Sequence, residues 1–482
     1  MVHRAHQGNV DPVPSRTHCL SATSTRIVFP RLMHPSHRGM AGDAAGRQPA
    51  RHPKPAPQRM TRLCYCAVWT SVIALALTGC LSRKTQEPIK LRWWITFAPD
   101  STEYPAFQSI AEAYTKKTGQ AVELVSVPWD DIAPRGTAPT KLALAQQSGK
   151  GPDVWGPVPH NWTSAFARDQ QALAWEPAQI QQFNQYLDVA LQACQFDQKQ
   201  VALPVLMDTV ALFYNKALIS SPPTTFDEMV TMAKGLTHPK EDRWGLAMPL
   251  LSPYHIYPFI DGYGGYIFRC DAGPCQVGDM GLNNEGAVKG TQLLTRLYTK
   301  DKLLAEPLAD RATMHERALA LFTAGRAAML IEGSWVLSPV RASGVNYGIA
   351  PIPALPDTTN PPRPLSTVQA IIVSSRTSHP GEAIDLANHI ASPESALILY
   401  QVWGKIPVRQ EALRSTQFAD TPDARVWRDQ IARSVPLPNM PELGYVWQPW
   451  GQALEEAVPG LTPVQDALNR AAEQIKGLLA GP

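Results

Sequence analysis

Between Ile89 and Val127 the chain reads strand, helix, strand, and that order constrains the fold more than any other stretch. Ile89 to Phe97 (IKLRWWITF) is rich in β-branched and aromatic residues and is bounded by Pro99-Asp100, as a strand should be. Pro105 to Lys117 then places Phe107, Ile110, Ala111 and Tyr114 on one face of a helix, and Thr118-Gly119 supplies its stop. Gln120 to Val127 (QAVELVSV) alternates as a second strand. Two strands joined by a helix form a parallel α/β unit, whose ligands sit at the carboxyl ends of the strands.

Further along, Thr140 to Gln147 reads as a short helix running into the tight loop Ser148-Gly-Lys-Gly-Pro-Asp153 and a buried strand through Val154-Trp155. Thr225 and Glu228 have capping-box spacing, in which hydroxyl and carboxylate each satisfy an otherwise unpaired amide at a helix start. The stretch from residue 80 to 482 is too long for one compact core and predicts two lobes.

The amino end is different in kind. Residues 1–59 are rich in Pro, His, Arg, Ser and Gly, show no sustained apolar period, and bury too little surface to offset chain entropy. After Arg62, the apolar run Ala67 to Leu77 is too short to cross a bilayer core of about 30 Å and reads as an export signal. It ends in Leu77-Thr78-Gly79-Cys80, which resembles the lipobox of bacterial lipoproteins. That resemblance implies lipidation of Cys80, removal of residues 60–79 and a membrane anchor through acyl chains, with residues 80–88 as a tether. Met60 would itself begin a well-formed signal of this kind, and the expected start of translation is there.

Charge follows the same division. Residues 1–79 carry ten Lys/Arg and two Asp/Glu, and subtracting that +8 from the overall +3 leaves −5 for the remainder. Nothing basic is left to attract nucleic acid. Three of the seven cysteines, Cys19, Cys64 and Cys66, fall within residues 1–79, ahead of Cys80. Of the others, Cys270 and Cys275 enclose a Gly-Pro turn and are expected to close a local disulfide in an oxidising compartment. Cys194 reads as a small buried apolar residue. No second Cys/His pair lies at ligand spacing, so neither metal nor cofactor is expected.

The strand–helix–strand opening, the G-x-G-P-D-V loop at 149–154, the crossing segment Ala202 to Lys216, Asp261-Gly-Tyr-Gly-Gly265, Ala324 to Trp335, Asn346 to Pro351 and Pro438-Asn-Met-Pro441 occur in one order. In that order they resemble the substrate-binding proteins of ABC importers, in the branch that takes up maltose and related oligosaccharides. The resemblance implies a two-lobed binding-protein fold of type II, each lobe a sheet flanked by helices. The first lobe would comprise residues 89–206 and 348–392, the second residues 207–347 and 393–482. It also implies a monomer that closes on an oligosaccharide, presents it to permease transmembrane subunits, and works at the periplasmic or outer face of a membrane without bond chemistry.

Residue by residue, the resemblance implies ligand contacts by Trp335 and Trp447, whose indoles would stack on sugar rings, and by Tyr254. Ser252 stands where well-known members carry an acid. Asn161 replaces a carboxylate in the pair after the G-P-D strand and keeps a polar role. Trp450, three residues after Trp447, either shares that face or packs inward. Asp208 either faces the cleft or caps a turn, and Asp100 lies in the loop after the first strand. A solute such as a glycerol phosphoester would need clustered Arg or a glycine-rich helix start, for which Arg409 is the one candidate. A secreted glycosidase would need two placed carboxylates, and no G-x-S-x-G or H-E-x-x-H motif is present. Peptide mapping of the precursor is expected to recover a start at Met60. Peptides from residues 1–50 would contradict that expectation.

Overall fold

The computed structural model describes residues 89–134, 140–270, 275–305 and 311–481. The signal segment, Cys80 and the expected disordered extension lie outside these. Twelve strands are present among the described residues: β1 Lys90–Ile95, β2 Ala121–Ser126, β3 Val154–Pro159, β4 Gln195–Phe196, β5 Lys199–Gln200, β6 Leu203–Asn215, β7 Trp244–Ala247, β8 Ala327–Gly333, β9 Tyr347–Ala350, β10 Leu365–Val373, β11 Ile406–Pro407 and β12 Val435–Pro436.

The predicted opening unit is present. β1 pairs in parallel with β2 from Lys90↔Ala121 to Ile95↔Ser126, and the helix Tyr104–Thr118 joins them. Its apolar face buries Phe107, Ile110, Ala111 and Tyr114, and Gly119 ends it at a φ of 78° that glycine adopts without steric cost. Trp93 of β1 is fully buried and donates its indole N–H to the Gly156 carbonyl at 2.8 Å, which fastens β1 to β3. The Thr225–Glu228 capping box is also formed, at the start of the helix Phe226–Leu236.

The strand order is β2-β1-β3-β10-β6-β8-β7, with β9 and β11 also on β6, and β12 on β10. β6 is the long member, and it belongs to both halves of the sheet. Residues 203–209 pair antiparallel with β10, and residues 210–214 pair antiparallel with β8. The two sheet halves expected for two lobes therefore share one continuous strand. β9, which holds Gly348, still pairs with the second half at Tyr214, so the chain returns to the first half between β9 and β10, beyond Gly348.

His160, immediately after β3, ties three segments together. Its Nδ1 accepts from the Val368 amide at 2.9 Å, and its Nε2 lies 2.8 Å from the Leu437 carbonyl, which makes Nε2 the protonated nitrogen. Two residues beyond Leu437, Asn439 accepts from the Ser164 amide and donates to Thr163 Oγ1 and the Gln195 carbonyl. Burial holds the His160 imidazole down at about 4, from an ordinary 6.5. Between those values the unfolded chain binds a proton that the folded chain refuses. The stability contributed is full above pH 6.5 and is lost as pH falls toward 4, about 3 kcal/mol in all. Urea melts from pH 7 to 4 are expected to lose that share of their pH slope in His160→Gln; an unchanged slope would contradict the assignment.

Candidate functional site

Strand direction locates the site before any side chain does. β3 runs antiparallel to β10, and β10 antiparallel to β6, so β3 points along β6; β8 points against it. The last residue of β3, Pro159, pairs with Gln369, which pairs with Leu206 of β6. The last residue of β8, Gly333, pairs with Val210. The carboxyl ends of the two halves thus face each other across Leu206 to Val210, where α/β sheets hold ligands. Asp208 lies midway.

Asp208 is 2 % exposed and its carboxylate gathers the surrounding elements. Oδ2 accepts from Gln369 Nε2 at 2.9 Å and forms an ion pair with Lys405 Nζ. Oδ1 accepts from the Tyr254 hydroxyl at 3.3 Å, and Thr367 Oγ1 donates to that hydroxyl at 3.2 Å. Burial presses the Lys405 amine below its ordinary value, with Asp208 opposing. Burial, followed by the Asp208 charge, raises the Tyr254 phenol well above its ordinary value, so it stays a neutral donor. Of the two readings of Asp208, the turn cap is excluded: it sits within a continuous strand.

Above this floor stands an aromatic wall. Tyr254 opens the helix Pro253–Asp261 beyond β7, and Trp335 follows β8 directly; β7 and β8 are parallel, so both rings emerge at one sheet edge. Their centroids are 5.9 Å apart, and both rings are partly exposed. Lys405 Nζ lies 5.6 Å from the Trp335 ring and 4.4 Å from that of Trp403, within cation–π range. Gly333 has to be glycine: a Cβ there would fall 2.2 Å from Cη2 and Cζ3 of Trp335. Gly404, at φ 76°, lets the chain pass the Ser334 carbonyl and deliver Lys405.

Behind Trp335, Glu332 is 1 % exposed and ionised. It accepts from His255 Nε2 at 2.9 Å, His315 Nδ1 at 3.0 Å and the Gly333 amide at 2.7 Å. Burial opposes the charge, but His255 and His315 outweigh it and hold the carboxyl down at about 2. Ser252, standing where well-known members carry an acid, hydrogen-bonds His255 Nδ1 at 2.9 Å.

The other expected contacts divide. Asn161 sits on the turn His160–Trp162 at the end of β3, and its buried Oδ1 has no hydrogen-bond partner among the described residues. Its neighbour Trp162 packs against the exposed Trp129 at 4.4 Å. Trp447 is partly exposed and makes no ring contact with Trp335 among the described residues. Trp450 is corrected: it is fully buried, stacked behind Trp447 at 6.4 Å, and offers no face to a cleft. Asp100 is exposed on the turn after β1 and joins neither the floor nor the wall. Arg409 is likewise no phosphate site: it is 2 % exposed, paired with Glu411 at 2.7 Å and packed over Tyr186. Many tryptophans serve the core, with Trp93, Trp94, Trp155, Trp175, Trp427 and Trp450 all buried. Cys270 and Cys275 are bonded, and Cys194 is buried and free.

Sequence reasoning missed Lys405, Gln369, Thr367 and the His255–Glu332–His315 group. Lys405 lies in a segment that reads as a turn, and Thr367 and Gln369 lie in the strand LSTVQAIIV without a motif. A second concavity of about 980 Å³, lined by Tyr257, Asp261, Phe268, Arg363 and Asn439 among others, shares no residue with the Asp208 floor.

This fold and site define a cleft-type binding protein, and comparison with known proteins places the chain. Its residues 109–426 match the family model described as bacterial extracellular solute-binding protein, and the chain belongs to that family. It is 27 % identical to the galactooligosaccharide-binding protein of Bacillus subtilis, over 87 % of this chain and 98 % of that one. It is 26 % identical to the maltotriose-binding protein of Pyrococcus abyssi, over 79 % of this chain and 81 % of the relative. Among solved structures it is similar to a cyclo/maltodextrin-binding protein complexed with maltotetraose, with a TM-score of 0.71 and 27 % identity over 82 % of this chain and 98 % of that one. The maltotriose-binding protein of Thermus thermophilus gives 0.70 and 26 %, over 81 % and 100 %. The two-lobed α/β fold read from the sequence is that of these proteins.

Lys405→Met would strand the Asp208 charge in the floor, and the expected loss is about 3–5 kcal/mol of unfolding free energy in urea melts. The double variant Asp208→Asn/Lys405→Met is expected to recover much of it. Equal losses would show that the pair does not act as a unit.

Proposed function

We propose that this protein is the oligosaccharide-binding lipoprotein of an ABC importer, taking maltose or maltodextrin-like sugar between its lobes and delivering it unaltered to the permease. The observation that carries the reading is the meeting of strand carboxyl ends at Asp208 beneath the Tyr254–Trp335 wall. Flat rings suit the C–H faces of a sugar and the Asn161 amide suits its hydroxyls, while the buried Asp208 holds Tyr254 and Lys405 in place beneath them. Trp447 supplies a second indole. The names of the relatives, maltotriose- and maltodextrin-binding among them, support the same cargo.

The first lobe is built on residues 89–206 with β10, the second on residues 207–347 with much of the chain after 393, and β6 is the hinge between them. Sugar that touches both walls favours the closed state by its differential affinity for that state. The acyl chains on Cys80 keep the monomer at the outer face of the membrane, within reach of the transmembrane subunits. No step breaks a bond. A glycosidase would require one carboxyl held as an acid, whereas Asp208 is paired with Lys405 and Glu332 is ionised.

The Bacillus relative favours a second cargo, galactooligosaccharide, on the same site. A thermal-shift panel of maltose, maltotriose, maltotetraose and galactooligosaccharides separates the two. A sugar at 100 times its Kd adds about 2.7 kcal/mol of apparent stability, which reads as a rise in Tm. Trp335→Ala is expected to abolish the shift while leaving the ligand-free circular dichroism unchanged. A panel without any shift would overturn the reading.

A further inference from the structure

We propose that His255, His315 and Glu332 form a binding site for a zinc-class divalent cation, set into the second half of the fold one ring behind Trp335. The three residues come from separate elements: His255 from the helix Pro253–Asp261, His315 from the helix Met314–Thr323, and Glu332 from β8. Their ligand atoms all lie within 4.8 Å of one another. Two imidazole nitrogens and one carboxylate oxygen are the donor set of an open three-ligand zinc site, with a fourth position left for water.

A tetrahedral shell with metal–ligand bonds of about 2.0–2.2 Å puts its donor atoms about 3.3–3.6 Å apart. Glu332 meets His255 Nε2 through Oε2 at 2.9 Å and His315 Nδ1 through Oε1 at 3.0 Å, and the three ligand atoms lie within 4.8 Å of one another, so rotation of the carboxylate and of the half-exposed His315 ring forms the shell. Those nitrogens carry protons that the carboxylate accepts, and a metal displaces both. On His255 the proton passes to Nδ1, where the Ser252 hydroxyl at 2.9 Å accepts as readily as it donates. On His315 it passes to Nε2, and the 42 % exposure of that side chain gives the ion and the proton a way to water. A hydrogen bond that orients the ring from its far nitrogen is the usual support for a metal-bound histidine. The Gly333 amide, at 2.7 Å from Glu332 Oε2, steadies the carboxylate in the same way.

The consequence is mechanical. His255 meets Trp335 edge to face at 5.8 Å and 81°, so an ion that fixes the imidazole also fixes the back of the aromatic wall. The group lies apart from Asp208 and Lys405 and needs no sugar to assemble.

The test uses the full chain stripped with EDTA and dialysed against Zn2+, then against Co2+. The wild type is expected to hold one equivalent of zinc more than either His315→Ala or Glu332→Gln. Its Co2+ form is expected to show visible absorption bands that both variants lack. His315 is half-exposed, so His315→Ala should keep the wild-type circular dichroism, which separates lost binding from lost fold. Other histidines contribute equally to all three proteins and cancel in the difference. Equal zinc stoichiometry and equal Co2+ spectra in wild type and His315→Ala would overturn the proposal, and neither readout depends on whether the cleft takes sugar.

Discussion

The pairing of Asp208 with Lys405 in the middle of β6 is the contact on which the rest of the site depends. A carboxylate buried to 2 % exposure is tolerable only with a cation and hydrogen-bond donors around it. Lys405 and Gln369 meet that need at one oxygen, and the Tyr254 hydroxyl meets it at the other. These residues arrive from β6, β10, the segment after the helix Pro393–Trp403, and the start of the helix Pro253–Asp261. Satisfying one charge therefore positions four elements from both halves of the sheet.

That arrangement explains why the aromatic wall stands where it does. Tyr254 is held by its hydroxyl to the floor, and Trp335 is held by its neighbours: Tyr254 and His255 against its ring, Lys405 across from it, and Gly333 leaving room beneath. Interactions of this kind preorganise a ligand face, which reduces what ordering costs when a ligand arrives. β6 runs unbroken through both halves, so the floor and the wall share one strand.

The fold was legible because hydrophobic period is a local signal. Phe107, Ile110, Ala111 and Tyr114 lie on one helix face wherever that helix packs, and Thr225 and Glu228 cap the next helix through bonds that need no distant partner. The site was legible only in part, because its chemistry is assembled across the chain. Tyr254 and Trp335 stood out by their motifs, and both line the wall. Trp450 has the same residue type three positions after Trp447 and yet faces inward, since helical spacing fixes a face without saying which side is core. Lys405 joins Asp208 across 197 residues, and His255 joins Glu332 across 77, separations over which spacing carries no information. Ser252 shows the limit of likeness: well-known members carry an acid there, and in this chain the hydroxyl hydrogen-bonds His255.

The central claim is that ligand at the Asp208 floor brings the two halves together about β6. Small-angle scattering with and without saturating maltotetraose measures this directly. The account predicts a smaller radius of gyration with the sugar, and no change for Trp335→Ala under the same conditions. An unaltered radius in a wild-type protein shown by calorimetry to have bound the sugar would contradict it.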